Sequence, residues 1–135
     1  MIRKERYPIK FILDQVTGCK ARNKRLFDGD EIQLGKKSFV LFKTKGTSCN
    51  KCGVEGAYFS KEKEQEDSPW HLALYSEKNT LMTKDHIIPQ VDGGTNEIKN
   101  LQVLCKWCKE RKADSKISIP WSEREKTQGK AGKYI

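Results

Sequence analysis

Asp85 and His86 are adjacent, Asn100 follows the histidine by fourteen residues, and Cys105-x-x-Cys108 closes the segment. A second knuckle, Cys49-x-x-Cys52, lies upstream. A carboxylate next to an imidazole can hold a divalent cation and activate a water beside it. That is chemistry suited to phosphodiester cleavage. The four thiols suggest a different task. Each Cys-x-x-Cys turn supplies two sulfurs, and tetrahedral Zn2+ accepts four. The two knuckles are separated by 52 residues, so a shared metal would clip distant parts of the chain together. A thioredoxin-like redox pair is the alternative, but two knuckles and no matching βαβ pattern argue against it. Cys19 has no partner in this scheme and reads as a buried or incidental thiol.

These residues need a frame. The 135 residues suit one domain with small extensions, and 36% hydrophobic against 33% charged residues implies a thin core that gains from a metal staple. No stretch approaches the apolar length of a membrane span. The start, Met1 to Pro8, is charged and lacks an apolar signal-peptide core, which predicts a cytoplasmic, reducing compartment where paired cysteines bind metal. The net charge of +9 is unevenly placed: +7 over residues 1–48, −3 over 49–105 and +5 over 106–135. Basic flanks suit a polyanion such as nucleic acid; a merely solubilising surface is the bland alternative.

Apolar spacing predicts a short helix over residues 9–17. Residues 20–25 form a basic run, and Asp28-Gly29-Asp30 a turn. Residues 31–34 and 38–42 read as strands. Tyr58 to Ser60 is a short strand, and residues 61–69 are polar enough for a loop. Residues 70–75 and 80–86 read as an antiparallel hairpin whose second strand ends at Asp85-His86. A long loop over residues 87–104 follows, turning at Asp92-Gly93-Gly94. A helix then runs from Cys105 to about Lys116, and Pro120 stops any helix before it. Residues from Thr127 read as a loose tail.

Asp85-His86-Ile87-Ile88-Pro89, Gly93-Gly94, Asn100-Leu101-Gln102-x-Leu104-Cys105-x-x-Cys108 and Lys112 together resemble the HNH endonuclease family, in particular small free-standing bacteriophage members. The resemblance runs from about Cys49 to Lys112. It implies an α+β chain with a ββα-metal domain over residues 49–117, a basic N-terminal extension over 1–48 and a basic C-terminal tail over 118–135. It implies His86 as general base, Asp85 as ligand of a catalytic Mg2+ or Mn2+, Asn100 as the residue that ties the loop down and orients the histidine, and Cys49, Cys52, Cys105 and Cys108 as ligands of a structural Zn2+. The expected partner is DNA, cut to 5′-phosphate and 3′-hydroxyl ends.

The pattern breaks at Lys109, where the family carries His or Asn as a second metal ligand. A protonated lysine has no lone pair for a cation. Three explanations stand. Lys109 swings aside or deprotonates while Glu110 or another carboxylate serves. Lys109 itself neutralises phosphate charge, which makes it a catalytic candidate. Or the site is weakened and the protein is a zinc-containing DNA-binding protein. His71 reads as a strand-surface residue on the face of Ala73 and Tyr75, and as a minor catalytic candidate. Lys84, Lys106, Arg111, Lys112 and Lys116 are expected to contact nucleic acid, with Lys109, Lys112 and Lys116 on one helix face. Arg22, Lys24 and Arg25 form a possible second contact.

Overall fold

The computed structural model describes residues 1–18, 20 and 22–116, with side chains described up to residue 113. Cys19, Pro120 and the tail lie outside the described residues. The elements in chain order are β1 (Ile2–Pro8), α1 (Ile9–Leu13), β2 (Lys24–Phe27), β3 (Asp30–Gln33), α2 (Lys37–Lys45), β4 (Gly56–Lys63), β5 (His71–Ser76), β6 (Met82–His86), β7 (Leu101–Cys105) and α3 (Lys106–Lys116), with 3-10 turns at Gln90–Asp92 and Ile98–Asn100. The strands form three antiparallel groups: β1-β4-β5, the hairpin β2-β3, and the pair β6-β7. The fold is α+β.

Period-two alternation sorts β4. Phe59 and Lys61 share one face, whereas Tyr58, Ser60 and Glu62 pair with Tyr75, Ala73 and His71 on the outer face, where Ser60, Glu62 and Tyr75 are also buried. Phe59 is fully buried, and the rings of Phe39 and Phe42 approach it at 5.8 and 6.2 Å. Those two phenylalanines come from α2, where a strand was expected. A continuous apolar run, Phe39-Val40-Leu41-Phe42, does not separate helix from strand by period. The core decides, and Gly46 ends the helix at φ 93°, a conformation that costs glycine little.

The expected loop from Lys61 also fails, because Lys61, Glu62 and Lys63 are strand residues and all are buried. Each charge has partners. Lys61 Nζ reaches Asp30 Oδ2 at 2.5 Å and the Phe27 carbonyl at 2.9 Å, tying the β2-β3 hairpin to β4. Glu62 accepts from Arg3 and from the Tyr75 hydroxyl. Burial of a charge is tolerated when it is paired and hydrogen-bonded.

The expected hairpin is paired differently. β5 pairs with β4 and is bridged to the chain entering β6 between Tyr75 and Leu81, while β6 pairs with β7. The end of the expected loop is therefore a strand, and α3 follows it directly. One buried cluster runs from Ile12 through Phe59 to Cys108, so the N-terminal 48 residues share a core with the remainder.

Candidate functional site

The β6-β7 pair carries a polar centre at each end. At one end Met82 faces Cys105; at the other His86 faces Leu101, with Asp85 opposite Gln102. The chain between the strands folds back on itself. Asn100 donates from Nδ2 to the carbonyls of Ile88 (3.0 Å) and Thr95 (2.8 Å), and its Oδ1 accepts from the Ile88 amide at 2.9 Å. The closure is tight. A Cβ at Gly94 would lie 1.7 Å from the Ile88 carbonyl oxygen, and Gly93 has φ 90°.

Asn100 thus bonds to Ile88 and Thr95 across the loop, and the side-chain bonds described for it do not include His86. Asn96, brought back by the same closure, holds the imidazole instead: His86 Nε2 lies 2.6 Å from Asn96 Oδ1. That oxygen also accepts from Gln90 Nε2 at 3.1 Å. An amide oxygen has no proton to give, so the contact is a hydrogen bond when Nε2 carries the hydrogen, and a neutral ring in that tautomer has its lone pair on Nδ1. A neutral histidine held in this tautomer can accept a proton from water. Asn96 and Gln90 had no sequence signal by themselves; only the loop closure reveals them.

Asp85 is buried. Its Oδ2 accepts from Gln102 Nε2 at 3.0 Å and from Lys112 Nζ at 2.5 Å. Lys112 also donates to the His86 carbonyl. This corrects one expectation. Lys112 is 2% exposed and faces the carboxylate, so it does not sit on an outer face against phosphates. The signal was present in the spacing: Cys105, Cys108 and Lys112 recur at three and four, which places Lys112 on the face of the buried cysteines.

Lys109 is exposed, and its Nζ donates to the Lys84 carbonyl at 2.8 Å, one residue before Asp85. Lys84 is half-buried; Lys106 and Arg111 are exposed, and the Lys116 side chain lies outside the described ones. His71 is on another sheet, 3.5 Å from Glu62 Oε1, and does not join the site. Arg22, Lys24 and Arg25 are exposed at the β2-β3 hairpin.

Among protein donors, Asp85 is the carboxylate next to His86. Both of the hydrogen bonds described for its carboxylate fall on Oδ2. Mg2+ is compatible with so sparse a set, since it commonly keeps waters and binds through one or two carboxylates plus substrate phosphate.

At the opposite end, the sulfurs of Cys49, Cys52, Cys105 and Cys108 all lie within 4.8 Å of one another, and Cys52 Sγ is 3.8 Å from Cys105 Sγ. A tetrahedron with Zn–S bonds of about 2.3 Å has edges of about 3.8 Å, so the donor set fits zinc. Its electrostatics point the same way. Burial pushes the Cys49 thiol up, but the backbone amides of Cys52, Cys105 and Lys51 outweigh it and bring the thiol down to about 7. Burial and the neighbouring Cys49 push Cys105 and Cys108 up. Four sulfurs this close cannot all be charged without a cation among them. The knuckle is closed by the Cys49 amide on the Val54 carbonyl at 2.8 Å and by Gly53 at φ 80°.

A short relay links the two ends. Asn50, inside the first knuckle, donates from its backbone amide to the Val103 carbonyl at 2.8 Å and from Nδ2 to Gln102 Oε1 at 2.8 Å. Gln102 in turn donates to Asp85. Residues 75–118 match the model of the HNH endonuclease family. Over this stretch, about a third of the chain, the protein is similar to HNH endonucleases. The match covers β6, the 3-10 turn Ile98–Asn100, β7 and α3, which carry Asp85, His86, Asn100 and the second knuckle. No curated protein and no solved structure matches the chain. Among the described residues, no helix is long and apolar enough to cross a membrane.

Proposed function

We propose that the protein is a metal-dependent DNA endonuclease or nickase that hydrolyses phosphodiester bonds, with His86 as general base. The observation that carries this reading is the Asp85–His86 pair at the end of β6, with His86 Nε2 anchored on Asn96. In this mechanism His86 Nδ1 takes a proton from the attacking water. Asn96 and Gln90 hold the ring in the productive tautomer, and Asn100 keeps the loop closed over it. Asp85 would hold Mg2+ or Mn2+, which when bound supplies charge to polarise the phosphate and stabilise the leaving 3′ oxygen. The four cysteines would hold Zn2+ in a structural role that fastens the start of α3 to the first knuckle, and Asn50 and Gln102 connect that knuckle to the Asp85 carboxylate. Lys84, Lys106, Lys109 and Arg111 provide phosphate contacts.

A second reading has its own observation. Lys112 already neutralises Asp85, and Lys109 stands where the resemblance leads one to expect a ligand. Both favour a zinc-containing DNA-binding protein with weakened cleavage. Nicking of supercoiled plasmid with Mg2+, Mn2+ or EDTA, comparing the parent with His86→Ala, separates the two. Metal-dependent nicking that His86→Ala abolishes supports the nuclease; equal inactivity with retained DNA binding supports the binder. Lys109→Asn refines the answer: activity rises if a ligand alone is missing, and falls if Lys109 acts on phosphate.

A further inference from the structure

The outer face of the β1-β4-β5 sheet is unlike an ordinary solvated face. Arg6 lies over the Tyr58 ring at 4.2 Å and Arg3 over the Tyr75 ring at 5.4 Å. The two tyrosines are cross-strand neighbours with ring centroids 5.9 Å apart and an interplanar angle of 22°. Cation–π contact fixes a guanidinium plane without neutralising its charge, so its donors remain available to phosphate oxygens. Arg6 makes no ion pair among the described residues. Arg3 is partly satisfied by buried Glu62.

A cavity of about 250 Å³ opens between these residues, lined also by Lys4 and Asn79. A second cavity of about 490 Å³ shares Arg3, Tyr75 and Asn79 with it and continues past Lys78 to Lys106 and Trp107. No acidic side chain lines either cavity. Trp107 is 55% exposed on α3, with Lys106 Nζ 5.3 Å from its ring. The track therefore begins at the first residue of the helix that delivers Lys112 to Asp85. At 1.5 Å per residue, Lys106 and Lys112 are roughly 9 Å apart along α3.

We propose that this face, from Arg6 and Arg3 through Lys78 to Lys106, is a second contact surface for the sugar-phosphate backbone of the duplex flanking the scissile bond. The proposal rests on the nuclease reading above. It assigns a binding role to the sheet and to β1, which lie outside the matched segment.

The test uses the full zinc-loaded chain carrying His86→Ala, so that the probe is not cut. Binding of a fluorescent duplex of about thirty base pairs is followed by anisotropy across a salt series. Arg6→Glu with Lys78→Glu is expected to weaken binding at least about tenfold near 0.1 M salt and to reduce the slope of log K against log salt by about two. Arg6→Lys keeps the slope and loses part of the affinity. Lys20→Glu with Lys36→Glu, the same charge change off the track, leaves a clearly smaller effect. Unchanged affinity and slope in the Arg6/Lys78 variant overturn the proposal, as does an equal loss in the off-track variant; in both cases DNA binding by the parent leaves the nuclease reading standing. A parent that binds no duplex overturns both. Zinc content and melting temperature confirm that each variant is folded, and Arg6→Lys supplies the comparison if the double variant is not.

Discussion

The two polar centres at the ends of the β6-β7 pair are built on opposite plans. The cysteine cluster uses four chemically equal donors, three of them buried, drawn together within 4.8 Å. The Asp85–His86 centre uses unlike groups, a buried carboxylate and an imidazole held by a loop. A closed set of equal soft donors suits a metal that stays. An incomplete set of hard donors suits a cation that arrives with phosphate and leaves with product. Lys112 sharpens the contrast, because it supplies Asp85 with a permanent positive partner when no divalent cation is near.

The strongest way to break the comparison is to remove a sulfur. Structural zinc contributes on the order of 10 kcal/mol in small zinc domains, so Cys108→Ser is expected to abolish the cooperative thermal transition followed by circular dichroism. A melt like that of the parent would deny the cluster its structural role. At the other end the expected effect falls on rate alone. His86→Ala should lower cleavage by about 10²- to 10⁴-fold and leave the melting temperature unchanged, because removal of a general base costs rate while the side chain is not part of the core. A large drop in melting temperature would make His86 a structural residue.

Lys112 tests whether the second centre is as loosely built as it looks. Removing one member of a buried ion pair costs about 3–5 kcal/mol, so Lys112→Met should lower stability by that amount in urea titration. A neutral result would mean that the Asp85–Lys112 contact is dispensable. The smallest effect is expected from Asn96→Ala. Loss of the acceptor frees the histidine tautomer and should slow cleavage by about tenfold with little change in the affinity for DNA, given one neutral hydrogen bond worth about 1 kcal/mol. An unchanged rate would show that the ring needs no orienting partner.

The same contrast explains what could be read from the sequence. A Cys-x-x-Cys turn is local, so both knuckles were legible, as was the adjacency of Asp85 and His86. Asn100 was legible in register with Cys105. The partner of β6 was not, because the pairing with β7 depends on a loop closed by side-chain bonds from Asn100 and by the missing Cβ of Gly94. Lys112 read as a nucleic-acid contact because it lies in a run of basic residues with Lys109 and Arg111; only the cysteine spacing marked its face as internal. The strand charges Lys61 and Glu62 were hidden for a related reason: their partners Asp30 and Arg3 lie 31 and 59 residues away. The helix over residues 37–45 turned on packing against Phe59, which no local period encodes.

The central claim is that one metal holds the fold and a different one enables the chemistry. The most direct test measures zinc content and plasmid nicking on the same preparation before EDTA treatment, during it, and after addition of Mg2+. The account predicts about one zinc per chain throughout, in keeping with a closed four-thiolate site, with nicking lost in EDTA and restored by Mg2+. Zinc that leaves together with the activity, or nicking that persists in EDTA while zinc remains, would contradict it.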